Sequence, residues 1–189
     1  VGAGDVLRLP EPLAARVTAV VARTAAHEAW WVERLAGCEP GTLPFPERAT
    51  GATGAASLPL DLSSLPVVPG RSAPDIAVAL ITGLLARLRG RADFSVSYED
   101  PSLAEITEDL GGWFAPSVPV RLHAPFEAPI EALVARVAAD LAEVRKRLTF
   151  ATDLPLRQPK LRALSHAGGR SLPIAIVLAG EPDQVTARE

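Results

Sequence analysis

The sequence predicts an α/β fold in layers, with long helices packed against a sheet. Three observations predict it. Apolar residues recur at helical spacing over three long stretches, near residues 11–37, 74–88 and 129–150. Short runs with period two, around 94–98 and 118–122, lie between the second and third of them. Hydrophobic residues make up 48% of the 189, enough for a substantial core in one domain, and no internal repeat is present.

Taken in order, Leu7 and Leu9 flank Arg8 in what reads as a short strand. Glu11-Pro12 then opens a helix, because proline is tolerated in a first turn. Leu13, Val17, Val20, Thr24, His27, Trp31 and Leu35 line one face of a single long helix ending at Gly37. Residues 39–56 are rich in Pro, Gly, Ala and Thr and read as a mobile loop. Leu58, Leu60 and Leu62 alternate, but Pro59 makes that strand an edge strand or no strand. Residues 74–88 are apolar on most sides, the mark of a buried helix, and end in Arg87, Arg89 and Gly90.

Phe94, Val96 and Tyr98 alternate as a strand. Residues 99–110 are acidic, with room for one or two helical turns. Val118, Val120 and Leu122 form another strand, with Pro119 pointing to an edge. In 129–150, Ile130, Leu133, Val137, Leu141, Val144 and Leu148 make one apolar stripe. Glu131 lies in its first turn and Arg145, Lys146 and Arg147 in its last, both favourable to the helix dipole. Residues 154–164 read as a Pro-interrupted loop, 172–178 (LPIAIVL) as a buried central strand, and 181–189 as a polar tail.

Composition excludes several function classes. With 19 basic and 22 acidic residues the net charge is −3, which supplies no general field for nucleic acid or an anionic membrane. One Cys excludes a disulfide framework, and with three His it assembles no zinc motif. The apolar run at 76–88 is shorter than a membrane span, and no signal peptide is legible. A lone Cys38 fits a reducing compartment, so cytoplasm is the expected location. With no Met, Val1 reads as a cut end and the chain as a piece of something longer.

The reactive residues stand apart in the sequence. His27, His123 and His166 have no His, Cys or Asp at ligand or dyad spacing. They read as surface or half-buried side chains, with a spatially assembled base as the alternative. Cys38 follows a helix C-terminus, where the dipole opposes a thiolate. The glycines at 51–54 and 168–169 lack the strand-to-helix setting of a phosphate loop. Arg145-Lys146-Arg147 reads as a solvated helix end, or a partner patch.

No catalytic, cofactor-binding or metal residue is identified. Four aromatics are candidates for an inter-domain contact: Trp30, Trp31, Trp113 and Phe114. Trp30 and Trp31 point about 100° apart on a helix, so one ring suits a core and the other an interface. Trp113 and Phe114 follow Gly112, which permits a positive φ, and their rings suit a core plug.

The order of these pieces resembles the nonribosomal peptide synthetase condensation domain. Trp30-Trp31-Val32-Glu33-Arg34-Leu35-Ala36-Gly37, then Leu43-Pro44-Phe45-Pro46-Glu47-Arg48, are similar to the family's Tyr-Trp pair, Arg-Leu-Ala-Gly turn and Leu-Pro-x-Asp-Arg segment. ALITGLLARLRG at 79–90, then Phe94-Ser95-Val96-Ser97, resemble its buried helix and next strand. Leu110-Gly111-Gly112-Trp113-Phe114 and Val118-Pro119-Val120-Arg121 are similar to its Gly-Phe-Phe-x-Asn-x-Leu-x-Leu-Arg segment. LTFATDLPL at 148–156 resembles its His-x-Asp-x-Pro-Phe stretch, and 172–178 falls where a later core strand lies. The resemblance covers residues 25–180.

The resemblance implies a two-layer sandwich with a mixed sheet backed by long helices, a single chloramphenicol acetyltransferase-like lobe over 1–189 with peripheral ends near 1–10 and 181–189. In the family, two such lobes face across a tunnel, and the first carries His-His-x-x-x-Asp-Gly. This chain matches the second lobe alone and has no His-His. It departs further at Ala115 and Pro116, where the family has Asn, at Ala151 or Thr152, where it has His, and at 63–73, where a helix is shrunk.

The resemblance thus implies a truncated, non-catalytic scaffold or docking module in peptide natural-product biosynthesis. Its partners would be neighbouring adenylation or carrier domains, with phosphopantetheine on a partner carrier. A face left by the missing lobe would suit a neighbouring domain or a homodimer burying over about 1,000 Å². The alternative is the C-terminal half of an active condensation domain, with His-His-x-x-x-Asp-Gly within about 200 residues upstream. A third reading is an unrelated acyltransferase-like binding domain, which a structure lacking a helix-backed mixed sheet would favour.

Overall fold

The computed structural model describes residues 9–39, 65–161 and 172–178. The expected strands at 7–9 and 57–62, the loop at 39–56, His166 and the tail at 181–189 lie wholly or almost wholly outside them. The described elements are α1 (Glu11–Ala25), α2 (Glu28–Ala36), α3 (Ala73–Arg89), β1 (Asp93–Glu99), α4 (Pro101–Thr107), β2 (Val118–His123), α5 (Ile130–Arg147), α6 (Leu154–Arg157) and β3 (Ala175–Val177). A 3₁₀ turn, Pro159–Leu161, follows α6.

Among the described residues the sheet is small and mixed, in the order β2-β1-β3. β1 pairs antiparallel with β2 and parallel with β3. Ser97 donates its N–H to Ile174 and Ser95 its N–H to Glu39, so the odd residues of β1 bond away from β2. Ser97 faces Pro119, which therefore occupies a non-bonded pair on an edge strand. Its missing N–H would have pointed outward, so the proline costs the ladder nothing.

α3 carries the strongest local signals. Ser72 caps it by accepting from the Asp75 N–H at 3.3 Å, Pro74 sits in its first turn, and Gly90 ends it at φ 63°. α3 packs on α5, and α5 on β2. The two helices pack tightly at Gly83, where a Cβ would stand 3.0 Å from Leu133 Cδ2. Trp31, Ile76, Val78, Phe94, Val96, Tyr98, Val120, Leu122, Val137, Leu141 and Ile176 share the main core. A second cluster joins Val20 of α1 to Leu110 and Phe114, with Leu13, Val17 and Ile106 at its margin.

Five expectations are corrected. The single helix over 11–37 is two helices, broken at Ala26-His27. Thr24 turns its hydroxyl back onto the carbonyls of Val20 and Val21 at 3.0 and 3.3 Å, a bond that bends helices. His27 N–H then bonds Thr24 O at 2.9 Å in a tighter turn. The break has a packing consequence: α1 serves the second cluster while α2 delivers Trp31 to the main core.

The loop expected at 154–164 contains α6 and the 3₁₀ turn, whose Leu154 and Leu161 are buried. Among the described residues the apolar run at 172–178 is not a central strand; there β1 is central, and β3 is a three-residue strand at the edge with Ala175 and Val177 exposed. α3 is not buried all round, because Leu84 and Leu88 face outward. Arg145, expected in a solvated helix end, is drawn into a half-buried network.

Candidate functional site

The α1–α2 break and the end of α5 position the tryptophan pair. Trp31 is fully buried, tilted against Phe150, with its indole N–H 3.4 Å from Arg147 O. Trp30 meets it edge to face at 4.7 Å and is half-buried. The Arg147 and Arg34 guanidiniums stand 4.5 and 5.2 Å from the Trp30 ring centroid. Cations at such distances are attracted by the negative face of the ring. Of the pair, Trp31 serves this chain's own core, and Trp30 reaches the surface.

Trp113 and Phe114 split in the same way. Phe114 is buried in the second cluster, whereas Trp113 is 47% exposed. Gly112 lies at φ 85°, the positive φ that glycine permits. The segment is clipped to the stretch after α5. Ala115 N–H donates to Phe150 O at 2.9 Å, Thr152 N–H to Trp113 O at 3.0 Å, and the Thr149 hydroxyl to Ala115 O at 2.6 Å. Ala115 and Ala151-Thr152, far apart in sequence, therefore lie side by side.

The polar centre of the molecule is a network that sequence reasoning missed. Arg145 donates from Nε to Asp100 Oδ2 at 3.1 Å, from Nη1 to Asp75 Oδ1 at 3.0 Å, and from Nη2 to the Tyr98 oxygen at 2.8 Å. Tyr98 in turn donates to Asp100 Oδ2 at 2.9 Å. The Ser102 hydroxyl and the Leu103 N–H fill Asp100 Oδ1 at 2.6 and 3.0 Å, so Asp100 also caps α4.

Burial would raise the Asp100 carboxyl, but these hydrogen bonds outweigh it and hold the group below its ordinary value. Burial likewise works against the Arg145 cation, and Tyr98, Asp100 and Asp75 more than offset it, so its pKa rises. Burial pushes the Tyr98 phenol up. All three groups are thus locked in their usual charge states, which suits a structural joint between α3, β1 and α5. The residue types were visible in the sequence, but no spacing rule links positions 75, 98, 100 and 145.

A cleft of about 780 Å³ opens beside this network, lined by Arg16, Arg23, Ser102, Glu105, Glu108 and Arg145 among others. Arg16 is engaged with Asp109 at 3.2 Å and with Glu105 O at 3.3 Å. Neither described histidine nor Cys38 lines it, and the Ser102 hydroxyl on its wall is turned to Asp100. His27 sits at the α1–α2 junction. His123 Nδ1 is 2.9 Å from Asp93 Oδ1, a cross-strand pair made by the β1–β2 register. Among the described residues, no group of three or more His, Cys, Asp and Glu could hold a metal ion. No helix among them is long and apolar enough to cross a membrane.

Comparison with protein-family models, with curated proteins and with solved structures finds no match to this chain.

Proposed function

We propose that this chain is a truncated, non-catalytic condensation-like lobe of a nonribosomal peptide synthetase, working as a scaffold or docking module. The finer fold that goes with it is a chloramphenicol acetyltransferase-like lobe. The reading rests on the ordered resemblance over 25–180. It is supported by a mixed sheet with helices packed on it, and by the way the resembling segments share one core. Trp31, Leu85, Phe94, Val120, Leu154 and Ile176 each come from a different one of those segments and belong to the same cluster.

The observation that favours a non-catalytic role is the position of the departures. Ala115 and Ala151-Thr152 stand where the family has Asn and His, and they occupy one place, joined by the Phe114–Ala151 bridge and the bonds around it. Loss of two polar side chains at a single locus is what release from a catalytic role would leave.

The test uses the full chain with two loaded carrier proteins and with separate adenylation and carrier domains of its synthetase. Mass spectrometry is expected to find no new amide bond, and calorimetry to find micromolar binding to one of those domains. Amide formation, or the absence of binding to every one of them, would overturn the proposal.

A further inference from the structure

The exposed side of Trp30 belongs to a basic cleft whose charges are incompletely matched. It has a volume of about 230 Å³ and is lined by Trp30, Glu33, Arg34, Gly37 and Arg121. That is below the range of pockets that take drug-sized ligands, and close to the size of one side chain. Arg34 lies over the Trp30 ring, and Nη2 has one long contact, 3.5 Å, to Arg121 O. Its Nε is buried with no acceptor among the described residues. Burial lowers the Arg34 pKa, because a half-desolvated cation without a carboxylate in contact is penalised.

The neighbouring carboxylates leave this charge uncovered. Glu33 is taken by Lys160 at 2.6 Å, Glu143 by Arg147, and Asp93 by His123. Asp140 acts on Arg34 from beyond ion-pair distance, and burial raises its own pKa, which weakens it as a counter-charge. Neither Arg34, Arg121 nor Arg136 forms an ion pair among the described residues.

We infer that the Trp30–Arg34–Arg121 cleft is the docking point for a carboxylate side chain on an acidic segment of a partner protein. Arginine nitrogens match a carboxylate bidentately, and Trp30 supplies an apolar wall for the stem that carries it. The cleft suits one carboxylate and not a polyanion, because its volume is close to that of a single side chain and the cations on its lining are Arg34 and Arg121. The inference rests on the docking reading for the partner being a protein, and it places the contact on the α2–β2–α5 side of the fold.

The test follows the arginine Nε–Hε and tryptophan indole resonances of the full chain by NMR. The probes are a capped Gly/Glu peptide, its Gly/Gln twin, sodium acetate, inorganic phosphate and oligodeoxythymidylate. The Gly/Glu peptide is expected to move the Arg34 and Trp30 signals, and Gly/Gln to leave them in place. Arg121→Gln, on an exposed side chain, is expected to weaken that binding by about tenfold, the scale of one lost charged contact. Arg34→Gln is expected to do the same, with circular dichroism confirming that it folds.

Unmoved signals, an equal response to Gly/Gln, or undiminished binding in Arg121→Gln would overturn the inference. So would binding of acetate, phosphate or the oligonucleotide as tight as that of the Gly/Glu peptide. The two proposals fail separately. A synthetase domain that binds equally well to Arg121→Gln sinks the cleft and leaves the docking role. A peptide that binds where no synthetase domain does sinks the docking role and leaves the cleft.

Discussion

Replacing Arg145 by Met removes the cation that ties α5 to α3 and β1. Three hydrogen bonds go, of 3.1, 3.0 and 2.8 Å. They reach an Asp100 side chain only 4% exposed and an Asp75 side chain 14% exposed. Breaking a buried pair by removing one partner costs about 3–5 kcal/mol. The low end applies, because Arg145 is itself 33% exposed and Asp100 keeps its bonds from Tyr98, Ser102 and Leu103. Arg145→Met is therefore expected to destabilise by about 3 kcal/mol at pH 7. In a double-mutant cycle with Asp100→Asn, the coupling is expected to be about 2 kcal/mol.

The effect carries a pH signature. In the native protein the Asp100 pKa is lowered, so its contribution is fully present above the unfolded carboxyl value, about 3.9, and is lost as pH falls through the lower folded value. Without Arg145, the carboxyl loses one of the four hydrogen-bonding partners that oppose burial, the smallest in effect after Ser102, Leu103 and Tyr98, and the folded pKa moves up. The folded and unfolded values then lie closer together in the variant, so Asp100 contributes less above the unfolded carboxyl value, and the gap between native protein and variant narrows as the pH falls through the carboxyl range. Urea unfolding followed by tryptophan fluorescence from pH 7 to pH 3 reads both quantities. A loss under about 1 kcal/mol at pH 7, or a gap that stays constant across that range, would refute the reasoning.

Two further outcomes follow from the packing. Trp31→Ala is expected to cost about 3–5 kcal/mol, since the ring is fully buried, whereas Trp113→Ala, 47% exposed, should cost under about 1 kcal/mol; chemical denaturation of the two variants side by side checks the contrast. Gly83→Ala should be close to neutral, the helix-propensity gain of about 1 kcal/mol set against the push on the mobile ends of Leu133 and Arg87. Gly83→Val, with two further methyl groups in the same gap, should lose about 1–3 kcal/mol in the same assay.

Local chemistry made much of the fold legible. The cap, proline and glycine around α3, the dipole-matched charges of α5 and the alternation of β1 and β2 are short-range signals, and each marks its element within a few residues. Even the edge position of β2 was legible, because a proline can be seated there at little cost. The split of α1 from α2 was not, because it depends on the rotamer of Thr24 and on which of two cores each half serves. The edge position of 172–178 among the described strands is not legible for a related reason: an apolar run reports burial on average, and not its neighbours in the sheet.

The candidate sites divide along the same line. The sequence alone determined the inventory, one Cys and three His without a zinc-ligand spacing, and which aromatics flank its turns; these are matters of composition and spacing. Only the tertiary structure decided that Trp31 and Phe114 face inward while Trp30 and Trp113 reach the surface. It alone paired His123 with Asp93, gathered Asp75, Tyr98, Asp100 and Arg145, and left Arg34 without a carboxylate in contact among the described residues. The physical reason is range. Helix periodicity and capping act over a few residues, whereas charge pairing and burial depend on which distant segments the packed core brings within a few ångströms.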